Sequence, residues 1–170
     1  MPRRRAGATL GVSDHWGWAV LVTLDADGSV LDSRRVELLE PGLNKHPHHH
    51  PDPKLSVREQ VAEVARVARS IRAEAAKRFD ELDLPIACIA LRANPKLPKT
   101  VEERMTDYVA HNVADSVLYR EALAAAARAR GWAVHTFDAR AALTAAGKKA
   151  KGTKDEKLAM AGALSATPAS

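Results

Sequence analysis

The sequence predicts a single α/β domain with a mixed five-stranded sheet and helices on both faces. Three observations carry this. Three β-prone segments separated by short turns lie before Pro41. Helix-like and strand-like segments alternate after it. Three Ser/Thr-x-x-Glu sequences, at Ser56–Glu59, Thr100–Glu103 and Thr153–Glu156, mark helix starts.

Taken in order, Ala8–Val12 alternates and reads as a first strand, and Trp18–Leu24 as a second, rich in β-branched residues. Asp25–Gly28 is a turn with glycine where a positive φ is wanted, and Ser29–Leu39 is a third strand. Strands joined so closely form an antiparallel meander. Pro41–Lys54 is a loop, since Pro41, Pro47, Pro51 and Pro53 exclude regular structure. Ser56 caps a long helix whose stripe is Val57, Val61, Val64, Ala68, Ile71, Ala75 and Phe79. Ile86–Ala93 is nearly continuous in apolar residues and reads as a central strand buried on both faces. From Thr100 a helix runs towards Arg130, with a break expected near Asn112–Ser116, and Gly131 closes it. Trp132–Phe137 is the last strand, Asp138 caps a short helix ending near Gly147, and Thr153 starts a final helix through Leu164. The order is β-β-β-α-β-α-β-α, with parallel crossovers after the meander.

Length and composition bound the function. One domain spans residues 1–170, with a basic tail at 1–7 and the His/Pro-rich loop at 41–54. Hydrophobic residues at 46% and charged residues at 28% suit a packed core. No apolar run approaches the ~20 residues of a membrane span, and no apolar signal-peptide core follows Arg3, Arg4 and Arg5. The single cysteine, Cys88, cannot form an internal disulfide and reads as an inert core residue. Together these place the expectation in the cytoplasm. A net charge of +5 permits attraction to nucleic acid. Phosphate-binding candidates are Arg92, Lys96, Lys148, Lys149, Lys151 and Lys154; the same clusters also read as solvated, solubilising charge. No Gly-x-Ser-x-Gly, P-loop or Gly-x-Gly-x-x-Gly occurs, which leaves serine-hydrolase, ATP and NAD chemistry by those routes without support.

Two stretches carry a family resemblance. Leu10-Gly-Val-Ser-Asp14, followed by Gly17 and Trp18–Val22, resembles the first hairpin of the ribonuclease H-like superfamily, which includes Holliday-junction resolvases of the RuvC type. Gly152–Met160 resembles the resolvase end, where a glycine and a lysine precede a helix bearing acidic ligands. The resemblance implies a nucleic-acid enzyme in which carboxylates on strand one, strand four and the final helix hold two Mg²⁺ or Mn²⁺ ions. Carried onto this sequence, the ligands are Asp14, Asp155 and Glu156, with Asp138 as a further catalytic candidate. Asp14 comes one residue late, because Ser13 follows Gly11-Val12. Arg92 and Asn94 stand where strand four is expected to supply a carboxylate. Separately, His15–Val20 and Asn112–Arg120 resemble segments of proteins from high-GC bacteria, a likeness that carries no activity.

Each candidate has a plainer reading beside it. Asp14 also reads as a turn aspartate, and His15 as a ring packed between Trp16 and Trp18. Asp155 and Glu156 complement a helix N-terminus, and Asp138 is an N-cap. His46, His48, His49 and His50 read as ligands for Zn²⁺ or a similar ion, as a pH-sensitive loop, or as a mobile polar loop. His111, Asn112, Asp115, Tyr119 and Arg120 crowd one helical stretch, with Asp115 and Tyr119 on one face, and line either a pocket or a hydrogen-bonded surface.

Three functions follow as expectations. The first is a metal-dependent phosphodiesterase acting on nucleic acid. The second is a module without catalysis that binds nucleic acid, a protein partner or a second copy of itself. The third is a transition-metal-binding protein. No membrane association is expected.

Overall fold

The computed structural model describes residues 7–167, so all of the basic tail at 1–7 except Gly7 lies outside the described residues. Strand β1 (Ala8–Asp14) runs two residues past the expected end, because Ser13 and Asp14 still pair with Val20 and Ala19 of β2 (Trp18–Leu24). A hairpin leads to β3 (Val30–Glu37), completing the antiparallel meander. Gly28 takes φ +85° in that hairpin, which only glycine adopts without strain.

The strand order is β3-β2-β1-β4-β5, with β4 (Ile86–Arg92) and β5 (Ala133–Phe137) parallel to β1. Helix α1 (Val57–Glu81) precedes β4 and α3 (Ala114–Ala129) precedes β5; a short α2 (Val101–Thr106) lies between β4 and α3. Helices α4 (Ala139–Ala146) and α5 (Lys154–Ala166) end the fold. The three capping boxes read from the sequence all form, at Ser56, Thr100 and Thr153.

Alternation along the strands builds two cores, one on each face. Leu10, Val12, Leu21, Ile89 and Leu91 pack with Val64, Val67, Ile71 and Phe79 of α1 and Leu123 of α3. Val20, Val22, Leu24, Ala90 and Phe137 pack with Ala159, Met160 and Ala163 of α5.

Three details differ from the expectation. Val57 is 62% exposed, so the buried stripe of α1 begins at Val64. The helix after Thr100 breaks earlier than expected, from Asp107 to Val113. There the Asp107 carboxylate accepts the amides of Val109 and Ala110 at 3.0 and 2.7 Å and so competes with helical hydrogen bonding. Strand β4 is central but not buried throughout, with Ala87 exposed and Cys88 half-buried. Burial still pushes the Cys88 thiol up, which favours its protonated form. Among the described residues, no helix is long and apolar enough to cross a membrane.

Candidate functional site at the carboxyl edge of the sheet

The carboxyl ends of β1, β4 and β5 lie along one edge, where α5 begins. Gly11 brings α5 there. A Cβ at that position would collide with the Ala159 carbonyl, so only glycine lets the helix backbone rest on β1. Ser13 lies two residues further along the same face, about 6.6 Å on. Asp155 lies one turn before Ala159, about 6 Å along the helix. The steps match, and Ser13 Oγ donates to Asp155 Oδ1 at 2.7 Å. His15 Nε2 donates to the same oxygen at 2.6 Å. The His15 ring stacks on Trp18 with centroids 4.0 Å apart, and the Arg35 guanidinium lies 3.9 Å from the Trp18 ring centroid. Partial burial opposes charge on Asp155, but the bonds from His15 and Ser13 outweigh it and hold the carboxyl below the ordinary aspartate range.

Asp14 faces the other way. Successive side chains of a strand point to opposite faces, so the carboxylate that follows Ser13 turns towards α3. Arg120 Nε lies 3.0 Å from each Asp14 oxygen, and Arg120 Nη1 reaches Asn94 Oδ1 at 3.4 Å. Only 2% of the Asp14 side chain and 10% of the Arg120 side chain are exposed. The sheet itself separates Asp14 from Asp155.

The remaining acidic candidates are held locally. Glu156 closes the Thr153 capping box and accepts from Ser33 Oγ at 3.0 Å. The Thr153 backbone, then Ser33, keep its carboxyl below the usual glutamate range. Asp138 caps α4 by accepting the Ala141 amide at 2.8 Å. Asp14, Asp138, Asp155 and Glu156 therefore do not converge. This is a correction to the expectation of a shared metal site. Its physical cause is the one-residue displacement of Asp14, which exchanges one face of the sheet for the other. Arg92 and Asn94 add no carboxylate at the end of β4. Among the described residues, no group of three His, Cys, Asp or Glu side chains is placed to hold a metal ion. The donor set does not fit a pair of hard dications, which require several oxygen ligands.

The histidine loop is also rearranged relative to expectation. His48 is buried, and its Nδ1 donates to Asp115 at 2.9 Å. Asp115, itself fully buried, also accepts the amides of His48 and His49 at 3.0 and 2.9 Å. The Tyr119 hydroxyl donates to the Lys45 carbonyl at 2.9 Å. Burial, then the nearby Asp115, push the Tyr119 phenol well above its ordinary value. The Asp115/Tyr119 face thus docks the loop. His48 leaves the other loop histidines, and His111 joins them. His46 and His50 lie edge-to-face at 4.8 Å, His49 and His50 at 4.2 Å, and His49 stacks on His111 at 5.1 Å. Trp16 turns away from His15 to meet His46 at 5.1 Å, and its Nε1 donates to Ser116. His46, His48, His49 and His50 do not form one ligand set.

Of the basic candidates, Arg92, Lys96, Lys151 and Lys154 lie on segments at the carboxyl edge. Lys149 lines a surface hollow with Leu164 and Ser165 at the far end of α5, and Lys148 shares its turn. Among the described residues, none of the six forms an ion pair within 4.0 Å. Sequence reasoning assigned no role at this edge to Ser13 or Arg120. The signal for Ser13 was present in the register after Gly11, whereas Arg120 lies 106 positions from Asp14 and no local pattern joins them.

No family model and no curated protein matches the sequence. Solved structures do. Thermus thermophilus RuvC in complex with a Holliday junction substrate matches with a TM-score of 0.51 at 13% identity, covering 93% of this chain and 90% of that chain. A second Thermus thermophilus RuvC structure matches with a TM-score of 0.50 at 12% identity, covering 92% and 91%. With its three-stranded meander, two parallel crossovers and terminal helix laid on β1, this chain has the ribonuclease H-like fold in the arrangement found in RuvC.

Proposed function

We propose that this domain binds nucleic acid along the carboxyl edge of its sheet and does so without two-metal phosphodiester hydrolysis. The fold is shared with a RuvC that has been solved on a Holliday junction. The edge carries Arg92, Lys96, Lys151 and Lys154, which suit phosphate contact because, among the described residues, none of them forms an ion pair within 4.0 Å. One observation carries the reading: Arg120 occupies both oxygens of Asp14, on the face of the sheet opposite Asp155. A strand-one carboxylate bound in this way is withdrawn from metal chemistry. What remains is a basic edge on a nucleic-acid-binding type of fold.

Electrophoretic mobility shifts test the reading. Four-way junction, single-stranded, duplex and RNA–DNA hybrid substrates are titrated at graded salt, with Mg²⁺ or Mn²⁺ present. The expected result is a retarded complex at low salt, with log K falling linearly in log salt by about 0.9 per phosphate contact on duplex DNA, and intact substrate. Absence of any complex at low salt overturns the binding. Metal-dependent cleavage lost in Asp155→Asn overturns the non-hydrolytic part.

A further inference from the structure

We propose that the imidazoles of His46, His49, His50 and His111 form a proton-triggered catch, which holds the 41–54 loop against α3 at neutral pH and releases it on acidification.

The cluster is built from two segments far apart in sequence. Three rings come from the loop, and His111 comes from the turn between α2 and α3. They make a continuous chain of ring contacts, His46–His50–His49–His111, at 4.2–5.1 Å. Neutral imidazoles pack in this way, whereas imidazolium ions at such spacing repel one another. His46 Nδ1 and His49 Nδ1 are buried without a hydrogen-bond partner, so a proton added there gains no acceptor.

Among the described residues, no carboxylate hydrogen-bonds to these four rings. Asp115, on α3, is committed to the His48 ring and to the amides of His48 and His49. Asp107 caps Val109 and Ala110 with its carboxylate, and only its backbone carbonyl accepts from His111 Nδ1, at 3.2 Å. Asp52 accepts the Lys54 amide. Lys45 precedes His46 in the chain, and its side chain packs against Gly17. Trp16 and Tyr108 complete the surroundings. The exposed His50 is held below the ordinary histidine value, first by desolvation, then by His49 and His46 and more weakly by His111, against the pull of Asp115.

The sign follows from linkage. The docked loop favours the neutral His50 ring, so docking is fully stabilised above the ordinary histidine value of about 6.5. It weakens as pH falls below that value, because the released loop takes up protons first. What gives way is the set of loop contacts to α3: the two amides on Asp115 and the Lys45 carbonyl on Tyr119. The catch stands apart from the nucleic-acid reading, because its readout is the loop alone.

Backbone amide exchange of His48 and His49 provides the test, followed by NMR on the full chain between pH ~7.5 and ~5. The expected result is a fall of at least ~10-fold in their protection factors on acidification, while β1 and β4 amides keep theirs. The double variant His50→Gln/His111→Gln removes most of the pH dependence, and the single variant His50→Gln removes part of it. The variant His135→Gln, on β5, leaves it intact. Unchanged protection, a loss shared equally by β1 and β4, or full pH dependence in the double variant overturns the proposal.

Discussion

Arg120 Nε lies 3.0 Å from both oxygens of Asp14, across a gap of 106 positions in sequence, and both side chains are almost fully buried. A pair of this kind is costly to break by halves. Removing either partner leaves an uncompensated charge inside the fold, a loss of about 3–5 kcal/mol. Asp14→Asn and Arg120→Met should each fall in that range by urea denaturation. The double variant should lose less than the sum of the two, because no lone charge remains. Single-variant losses below about 1 kcal/mol would show that water reaches the pair and screens it.

The companion relationship, Ser13 to Asp155, predicts how a metal site is made or lost here. Ser13→Asp places a carboxylate against Asp155, where the serine hydroxyl now lies 2.7 Å away. Like charges at that distance lower stability until a cation joins them. The variant should melt below the parent in the absence of divalent ions and recover in millimolar Mn²⁺. A concentration tenfold above Kd returns about 1.4 kcal/mol. The parent chain, lacking the convergent carboxylates, should show no comparable rise. A parent Tm that climbs with Mn²⁺ as much as that of the variant would contradict the reading of the donor set.

These two relationships also show what the sequence could and could not disclose. Element order, the three capping boxes and the two apolar faces are local or periodic properties, and the chain states them directly. Gly11 reads as a small residue in a strand, but its purpose appears only when α5 lies on it. The face occupied by Asp14 depended on register, and register was legible: Ser13, not Asp14, follows Gly11 by two. The partners were not. Arg120, Asp115 and His111 reach their contacts through long-range packing that no spacing rule encodes. One of the three readings of the histidine run, a single set of ligands, fails because adjacency in sequence hides direction. His48 turns into the core while its neighbours stay near the surface.

Asp155 carries a pH signature of its own. Its carboxyl is held below the ordinary aspartate value, with the bonds from His15 and Ser13 overcoming partial burial. A group lowered in the folded state contributes stability above its unfolded value and loses it as pH falls through the folded one. The contribution should therefore be complete at neutral pH and decline below about pH 4. Asp155→Asn should lower stability at pH ~7 by about 1–2 kcal/mol, since a charge-assisted bond is lost. It should also flatten the acid limb of the stability curve measured by circular dichroism. An acid limb identical in parent and variant would assign that limb to other carboxylates.

Asp115 is the polar position on α3 on which the 41–54 loop should depend most. It is fully buried and accepts three hydrogen bonds, two from loop amides and one from the His48 ring. Asp115→Ala strands all three donors, at about 1–3 kcal/mol for each group left unsatisfied, with part regained if the loop lifts into water. The two responses can be separated. If the loop lifts, the variant keeps a cooperative transition with a modest loss of stability, and proteolysis cuts between Pro41 and Lys54 where the parent resists. If the loop stays, the loss approaches the full sum and the loop remains resistant. The first outcome is expected, because four prolines leave the loop no regular backbone pairing of its own and its tertiary ties to α3 run through Asp115 and Tyr119. Asp115→Asn should sit between parent and alanine variant, since the amide oxygen still accepts the two donors from His48 but its NH₂ then faces the His49 amide. A chain whose loop stays resistant to protease in Asp115→Ala, with stability unchanged, would show that the Tyr119 bond and the histidine rings hold the loop without Asp115.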